Sequence, residues 1–165
     1  MLIEESDLIS CTSYRVELAL SKSGKPFHEV EYQKEEDGSF CPILKILVGK
    51  DKKEISAYAD TGCTSGLSVF KEQIEDIDIG TKISDDNNPT PCIMADGHVI
   101  GADEYLATVS IEGEEKEVNI SVIDPNKDMG YVSFKAMTPL LGRDFLDKFD
   151  VLYKGEEKKI ALFKC

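Results

Sequence analysis

From residue 42 onward the chain alternates between apolar and polar positions. "PILKILVGK" (42–50) alternates, the charged "KDKKE" (50–54) turns it, and "ISAYA" returns with Ile55, Ala57 and Ala59 on one face. "YLATVSI" (105–111) and "EVNISVI" (117–123) alternate around "EGEEK", and "DVLY" and "KKIALF" flank "KGEE" (154–157). Both arrangements predict hairpins. "CIMADGHVI" (92–100) predicts another, because Asp96-Gly97 suits the positive backbone angles of a tight β-turn. Two stretches carry a helical period instead: "SVFKEQI" (68–74) and "RDFLDKF" (143–149), where Phe145, Leu146 and Phe149 share a face. "SDDNNPTP" (84–91) reads as a loop. The pattern predicts a mainly β, closed or nearly closed barrel with a short helix at 143–149.

The first forty residues have a different texture. "YRVELALSKS" (14–23) fits a short helix stopped by Gly24 and Pro26, and "FHEVEY" (27–32) fits a strand. The charged, turn-rich "QKEEDGS" (33–39) sets a boundary, giving an N-terminal extension at 1–38 and a domain at 39–165. The extension is expected to pack outside the barrel or over its cleft, and its deletion to leave a folded domain. The run "SCTSYRVELALSKSGKPFHEVEY" (10–32) also looks like the opening of a glutathione-transferase-type thioredoxin fold, but the further strands of such a fold are not evident.

Composition narrows the choice of partners. A chain of 165 residues, 41% hydrophobic and 31% charged, suits one soluble globular domain with an appendage. Its net charge of −13 argues against nucleic acid and anionic membranes, which attract basic patches. No apolar run reaches membrane-spanning length, and "MLIEESDLIS" lacks the features of a secretory leader, so a cytoplasmic location is expected. Cys11, Cys41, Cys63, Cys92 and Cys165 are odd in number and widely spaced, with only His28 and His98 to assist them. Reduced thiols fit that pattern better than a metal site, so no metal and no cofactor are expected. The two histidines are isolated and read as surface or turn residues.

The chemistry turns on "AYADTGCTSG" (57–66), where a strand delivers Asp60 to a run of small residues. An aspartate before a glycine turn is ordinary turn chemistry. The same residues also suit a preorganised acid. The strand supplies rigidity, Thr61 a hydroxyl that can lock the loop, and Gly62 a bare N–H beside the carboxylate with room for a substrate.

A second element, "TPLLGRDFLDKFDVLY" (138–153), supplies an apolar pair, a glycine, an amphipathic turn and a strand. With "AYADTGCTSGLSVF", "IMADGHVIGADEYLATVSI" and "DVLYKGEEKKIAL", in that order over roughly residues 42–163, the chain resembles the retropepsin-like aspartic proteases, single-lobe relatives of the retroviral enzymes. The prokaryotic-type branch is the nearest in pattern. The resemblance implies a closed acid-protease barrel and a homodimer in which two Asp60 carboxylates meet on a twofold axis. Carboxylates that close share a proton; one activates water while the other hydrogen-bonds the scissile carbonyl. It further implies loop support from Thr61 and Gly62, a substrate-covering flap at Asp96 and Gly97, and a structural role near the site for Cys63, Gly142, Arg143 and Asp144. An extended peptide would be the substrate, with no cofactor.

Two departures are visible. Cys63 stands where alanine or serine is commoner. Arg143 matches a helix arginine that often pairs with an acid four residues after the catalytic aspartate, but Thr64 occupies that position. Arg143 therefore needs another partner, such as Asp144, or is solvated. A non-catalytic peptide-binding or dimerisation module on the same scaffold is the alternative.

Overall fold

The computed structural model describes residues 24–93, 97, 99–124 and 138–165. Predicted features at 14–23, at Asp96 and at His98 lie outside them. The elements in order are β1 (His28–Glu31), β2 (Gln33–Lys34), β3 (Phe40–Cys41), β4 (Ile43–Val48), β5 (Lys53–Ala59), β6 (Leu67–Phe70), a 3-10 turn (Lys71–Gln73), β7 (Thr81–Lys82), β8 (Thr90–Ile93), β9 (Val99–Ile111), β10 (Glu114–Ile123), β11 (Leu140–Leu141), α1 (Arg143–Leu146), β12 (Phe149–Lys154) and β13 (Lys159–Lys164). The fold is mainly β with one small helix, as the alternation predicts.

The hydrogen-bonding circuit closes on itself. β10 pairs with β6 in parallel, β6 with β11 antiparallel, β11 with β5 in parallel, β5 with β4 antiparallel, and β4 with β9, which returns to β10. Inside lie the fully buried Leu44, Ile46 and Val48 of β4, Leu67 and Val69 of β6, Val109 of β9, Ile120 of β10 and Phe145 of α1. Ala57 and Ala59 complete the β5 face. A smaller cluster of Phe70, Ile100, Ala102 and Ile123 forms on the other side of the β9–β10 hairpin.

A second sheet has the order β1-β13-β12. Phe27 packs its ring 5.4 Å from that of Phe149, which in turn sits 5.2 Å from Phe145. β1 therefore belongs to the sheet that ends the chain, and β2 pairs with β3 across the expected boundary at residue 38.

Three local expectations are corrected. Residues 68–74 are not a helix: Leu67 to Phe70 run as β6, because their backbone pairs with β10 from Leu67↔Ile120 to Phe70↔Ile123. Only Lys71–Gln73 coils, and Phe70 N donates to Gln73 Oε1 at 2.9 Å. The helix at 143–149 is one turn, Arg143–Leu146, with Phe149 opening β12. The 112–116 turn shrinks to Glu112-Gly113, whose φ values of 46° and 81° make the primed two-residue turn that suits strand twist. β10 therefore starts at Glu114, earlier than predicted, while β9 ends at Ile111 as predicted and gains its extra length at the Val99 end.

Candidate active site

β5 ends alongside β11, its parallel neighbour. Tyr58 N donates to Pro139 O at 2.8 Å and Asp60 N to Leu141 O at 2.9 Å, while Ala59 N donates to Pro42 O at 2.9 Å on the other side. The backbone that carries Asp60 is thus bonded to two neighbouring segments. Asp60 itself is partly buried, and its Oδ1 accepts the Gly62 N–H at 2.8 Å. A Cβ on Gly62 would lie only 3.0 Å from that oxygen, so a bare backbone is what permits the close approach. Thr61 is exposed, and among the described residues its hydroxyl makes no hydrogen bond.

The loop then wraps around the start of α1. Gly142 N donates to Gly66 O at 3.0 Å and Arg143 N to Cys63 O at 2.8 Å. A Cβ on Gly142 would fall 2.1 Å from Ser65 O, and one on Gly66 would fall 2.6 Å from Val118 Cβ. Two backbones cross there with no space for a side chain. Asp144 Oδ2 accepts from Asn119 N at 2.8 Å and its other oxygen lies 3.6 Å from Lys148 Nζ. Asp144 therefore faces β10 rather than Arg143. Among the described residues no ion pair involves Arg143, which is exposed. Gly142, Arg143 and Asp144 each meet the Asp60 loop or the strand beside it.

Cys63 is partly buried. Burial pushes its thiol pKa up, Asp60 and Cys92 add to the rise, and the Ser65 N–H and Arg143 oppose it. Such a thiol is poorly ionised and a weak nucleophile. The Tyr153 phenol is pushed up to about 12, first by burial and then by Tyr32, Tyr58 and Asp60 around it. Sequence reasoning missed this tyrosine group, because it assembles from β5, β12 and the end of β1. Sequence reasoning also missed the pair Ser65 and Ser121. Ser121 Oγ lies 3.0 Å from Ser65 Oγ and 2.7 Å from Glu104 Oε1. Its one signal is the alternation of "NISVI", which puts Ser121 opposite the face of Ile120 and Val122.

A groove of about 680 Å³ opens on the side of β5 that carries Tyr58. Ile43, Tyr58 and Leu140 line its apolar part, with Glu35, Glu36 and Asp37 also against it. The β8–β9 hairpin projects with Gly97 exposed near its tip at φ +88°. Ile93 and Val99 face each other there, 78% and 59% exposed. His28, expected on the surface, is instead largely enclosed, with Nδ1 3.4 Å from Glu112 in the β9–β10 turn. Among the described residues no three His, Cys, Asp or Glu side chains gather as a metal site, and no helix is long and apolar enough to cross a membrane.

No family model and no curated protein matches the sequence. Solved structures similar to the chain include EIAV protease complexed with the inhibitor HBY-793, at 17% identity over 72% of this chain and 92% of that one, with a TM-score of 0.49. They also include a retropepsin-like aspartic protease from Rickettsia conorii, at 18% identity over 84% and 96% of the two chains, with a TM-score of 0.47. The second carries the family name that the sequence motifs suggest. At these identities the likeness concerns the path of the chain, and the functional reading below rests on the site.

Proposed function

We propose that the chain is an aspartic endopeptidase that works as a homodimer, with one Asp60 from each copy. The observation that carries this reading is the mounting of Asp60. A carboxylate stands at a strand end, its backbone is tied to neighbouring segments on two sides, and one oxygen is fixed by a glycine N–H. An ordinary turn aspartate needs no such two-sided support. The second Asp60 completes the chemistry: the pair holds one proton, the ionised member draws a proton from water, and the neutral member donates to the scissile carbonyl. The exposed Thr61 is open to contact from the second copy. An extended peptide lies along the groove beside Tyr58 and pairs with strand edges. The β8–β9 hairpin, with Gly97 near its tip, closes over it and presents Ile93 and Val99 as an apolar cover.

The test is peptide cleavage by the purified chain between about pH 3 and 7, the range of a coupled carboxyl pair. Activity is expected to fall faster than linearly on dilution through the dimer dissociation constant. Asp60→Asn is expected to abolish turnover with the dimer intact, since asparagine keeps the shape and still accepts from Gly62. Asp144→Asn keeps an oxygen for the Asn119 N–H, so it and Asp96→Asn are expected to retain activity. If Asp60→Asn cleaves as well as the parent, Asp60 is only a turn residue. If an intact dimer cleaves nothing, the scaffold is the peptide-binding or dimerisation module.

A further inference from the structure

Away from the main core, three polar side chains from three segments meet behind the Asp60 loop. Ser65 leaves that loop, Ser121 belongs to β10, and Glu104 lies directly opposite Ser121 on β9. Ser121 is 3% exposed and Glu104 partly buried. Three links join them to the backbone: Glu104 Oε1 to Ser121 Oγ at 2.7 Å, Ser121 Oγ to Ser65 Oγ at 3.0 Å, and Ser65 Oγ to the carbonyls of Asn119 at 3.0 Å and Leu67 at 3.2 Å.

Each link needs a proton. With Glu104 ionised, two hydroxyl protons must serve three links. The carboxylate takes the Ser121 proton, because charge-assisted hydrogen bonds are the strong ones. Ser65 then either keeps its carbonyl and meets Ser121 lone pair to lone pair, or turns to Ser121 and abandons the carbonyls. With Glu104 neutral, three protons serve three links in one direction: Glu104 donates to Ser121, Ser121 to Ser65, and Ser65 to Asn119 O. A part-buried network that is fully satisfied is more rigid than one short of a proton.

We propose that Glu104 is a positioning residue, whose protonated carboxyl completes a hydrogen-bond relay through Ser121 and Ser65 that fixes the loop carrying Asp60, and whose ionisation breaks it. The surroundings agree. From β8 the Cys92 thiol faces Glu104 and Ser121; its own pKa is raised, mainly by burial, so it stays a neutral, weak donor. From β7, Lys82 engages Asp86 and Asp103 instead. Asp103 and Tyr105 point to the opposite face of β9 by alternation. Lys71 pairs with Asp124 beyond the end of β10. Among the described residues no cation pairs with Glu104, and burial holds its pKa above the usual carboxylate value against the Ser121 hydrogen bond. The folded chain therefore binds this proton more tightly than the unfolded one. The stability it contributes is present in acid and is lost as pH rises through the raised pKa.

The relay bears on the proposed peptidase but can be tested without catalysis. In the Asp60→Asn chain, which removes the titration of Asp60 itself, the amide signals of Gly62, Ser65 and Gly66 are followed by NMR from acid to neutral pH. They are expected to move in one step that coincides with the 13C titration of the Glu104 carboxyl. Glu104→Gln donates to Ser121 at every pH, so in that variant the step is expected to vanish, with the signals held at their acid-form positions. A step that persists in Glu104→Gln, or a Glu104 that titrates without moving the three amides, overturns the proposal. If the parent cleaves peptides, Glu104→Gln is expected to lose from its kcat profile the part of the decline that tracks the Glu104 carboxyl titration, while the decline set by the Asp60 pair remains. If the parent cleaves none, the NMR result stands alone and the peptidase reading is what fails.

Discussion

The two faces of the β9–β10 hairpin do different work with the same backbone. One carries Ala107, Val109 and Ile111 against Val118, Ile120 and Val122, all within the main core. The other carries Ile100 and Ala102 with Ile123, and then gives way to Glu104 and Ser121 where it approaches the Asp60 loop. The first face is stabilised by burial of apolar area, which is non-directional and tolerant of detail. The second depends on directed hydrogen bonds whose count must close. A strand alternates by geometry, so one hairpin can seal a core and brace a site at once.

The comparison can be broken most strongly from outside the barrel. Removing residues 1–38 strips β1 from β13 and takes Phe27 from Phe149. The loss is expected to exceed about 3–5 kcal/mol, the range for deleting one packed aromatic ring, which is a large share of a typical domain's stability. Removing residues 1–26 keeps both contacts and is expected to leave a folded chain. Equal denaturation midpoints for the two truncations would show that β1 is dispensable. Next in size, Ile120→Ala on the apolar face leaves a cavity at a fully buried position and is expected to cost about 2–5 kcal/mol. Its effect is on the midpoint of denaturant unfolding, with the slope unchanged.

Much of this architecture was legible from alternation alone. The strands at 43–48, 53–59 and 159–164, and the hairpins between strands, follow from local pattern and turn residues. The stretch at 68–74 misled because Val69, Phe70 and Ile74 fit a helical face as well as a strand, and only the distant β10 decides between them. The Asp60 loop was legible because Asp-Thr-Gly and the later Leu-Leu-Gly-Arg sit at a telling distance. The crossing that makes Gly142 obligatory was not, since the 2.1 Å approach to Ser65 O is a property of two segments far apart in sequence. Glu104 was not legible for a related reason. Nothing in "GADEYL" shows that Glu104 meets Ser121 while its equally enclosed neighbour Asp103 meets Lys82. Burial of a polar side chain is decided by what the rest of the chain lays over it.

The smallest effect tests the directed face. Ser121→Ala removes one oxygen and little volume, at a residue next to Ile120 on the same strand. Its hydroxyl serves Glu104 and Ser65 together, so alanine leaves a partly buried carboxyl oxygen and the Ser65 hydroxyl short of a partner. The expected cost is about 1–3 kcal/mol, the range for an unsatisfied buried polar group, and below the central cost of Ile120→Ala. The two neighbours should also differ in where the cost appears. Ile120→Ala lowers global stability and leaves the local order of the Asp60 loop intact while the chain is folded. Ser121→Ala is expected to speed amide hydrogen exchange at Gly62, Ser65 and Gly66 by more than its effect on global unfolding, because it unties the loop without opening the core. If exchange at those three amides changes only in step with global stability, the second face braces nothing and is merely a polar edge of the barrel.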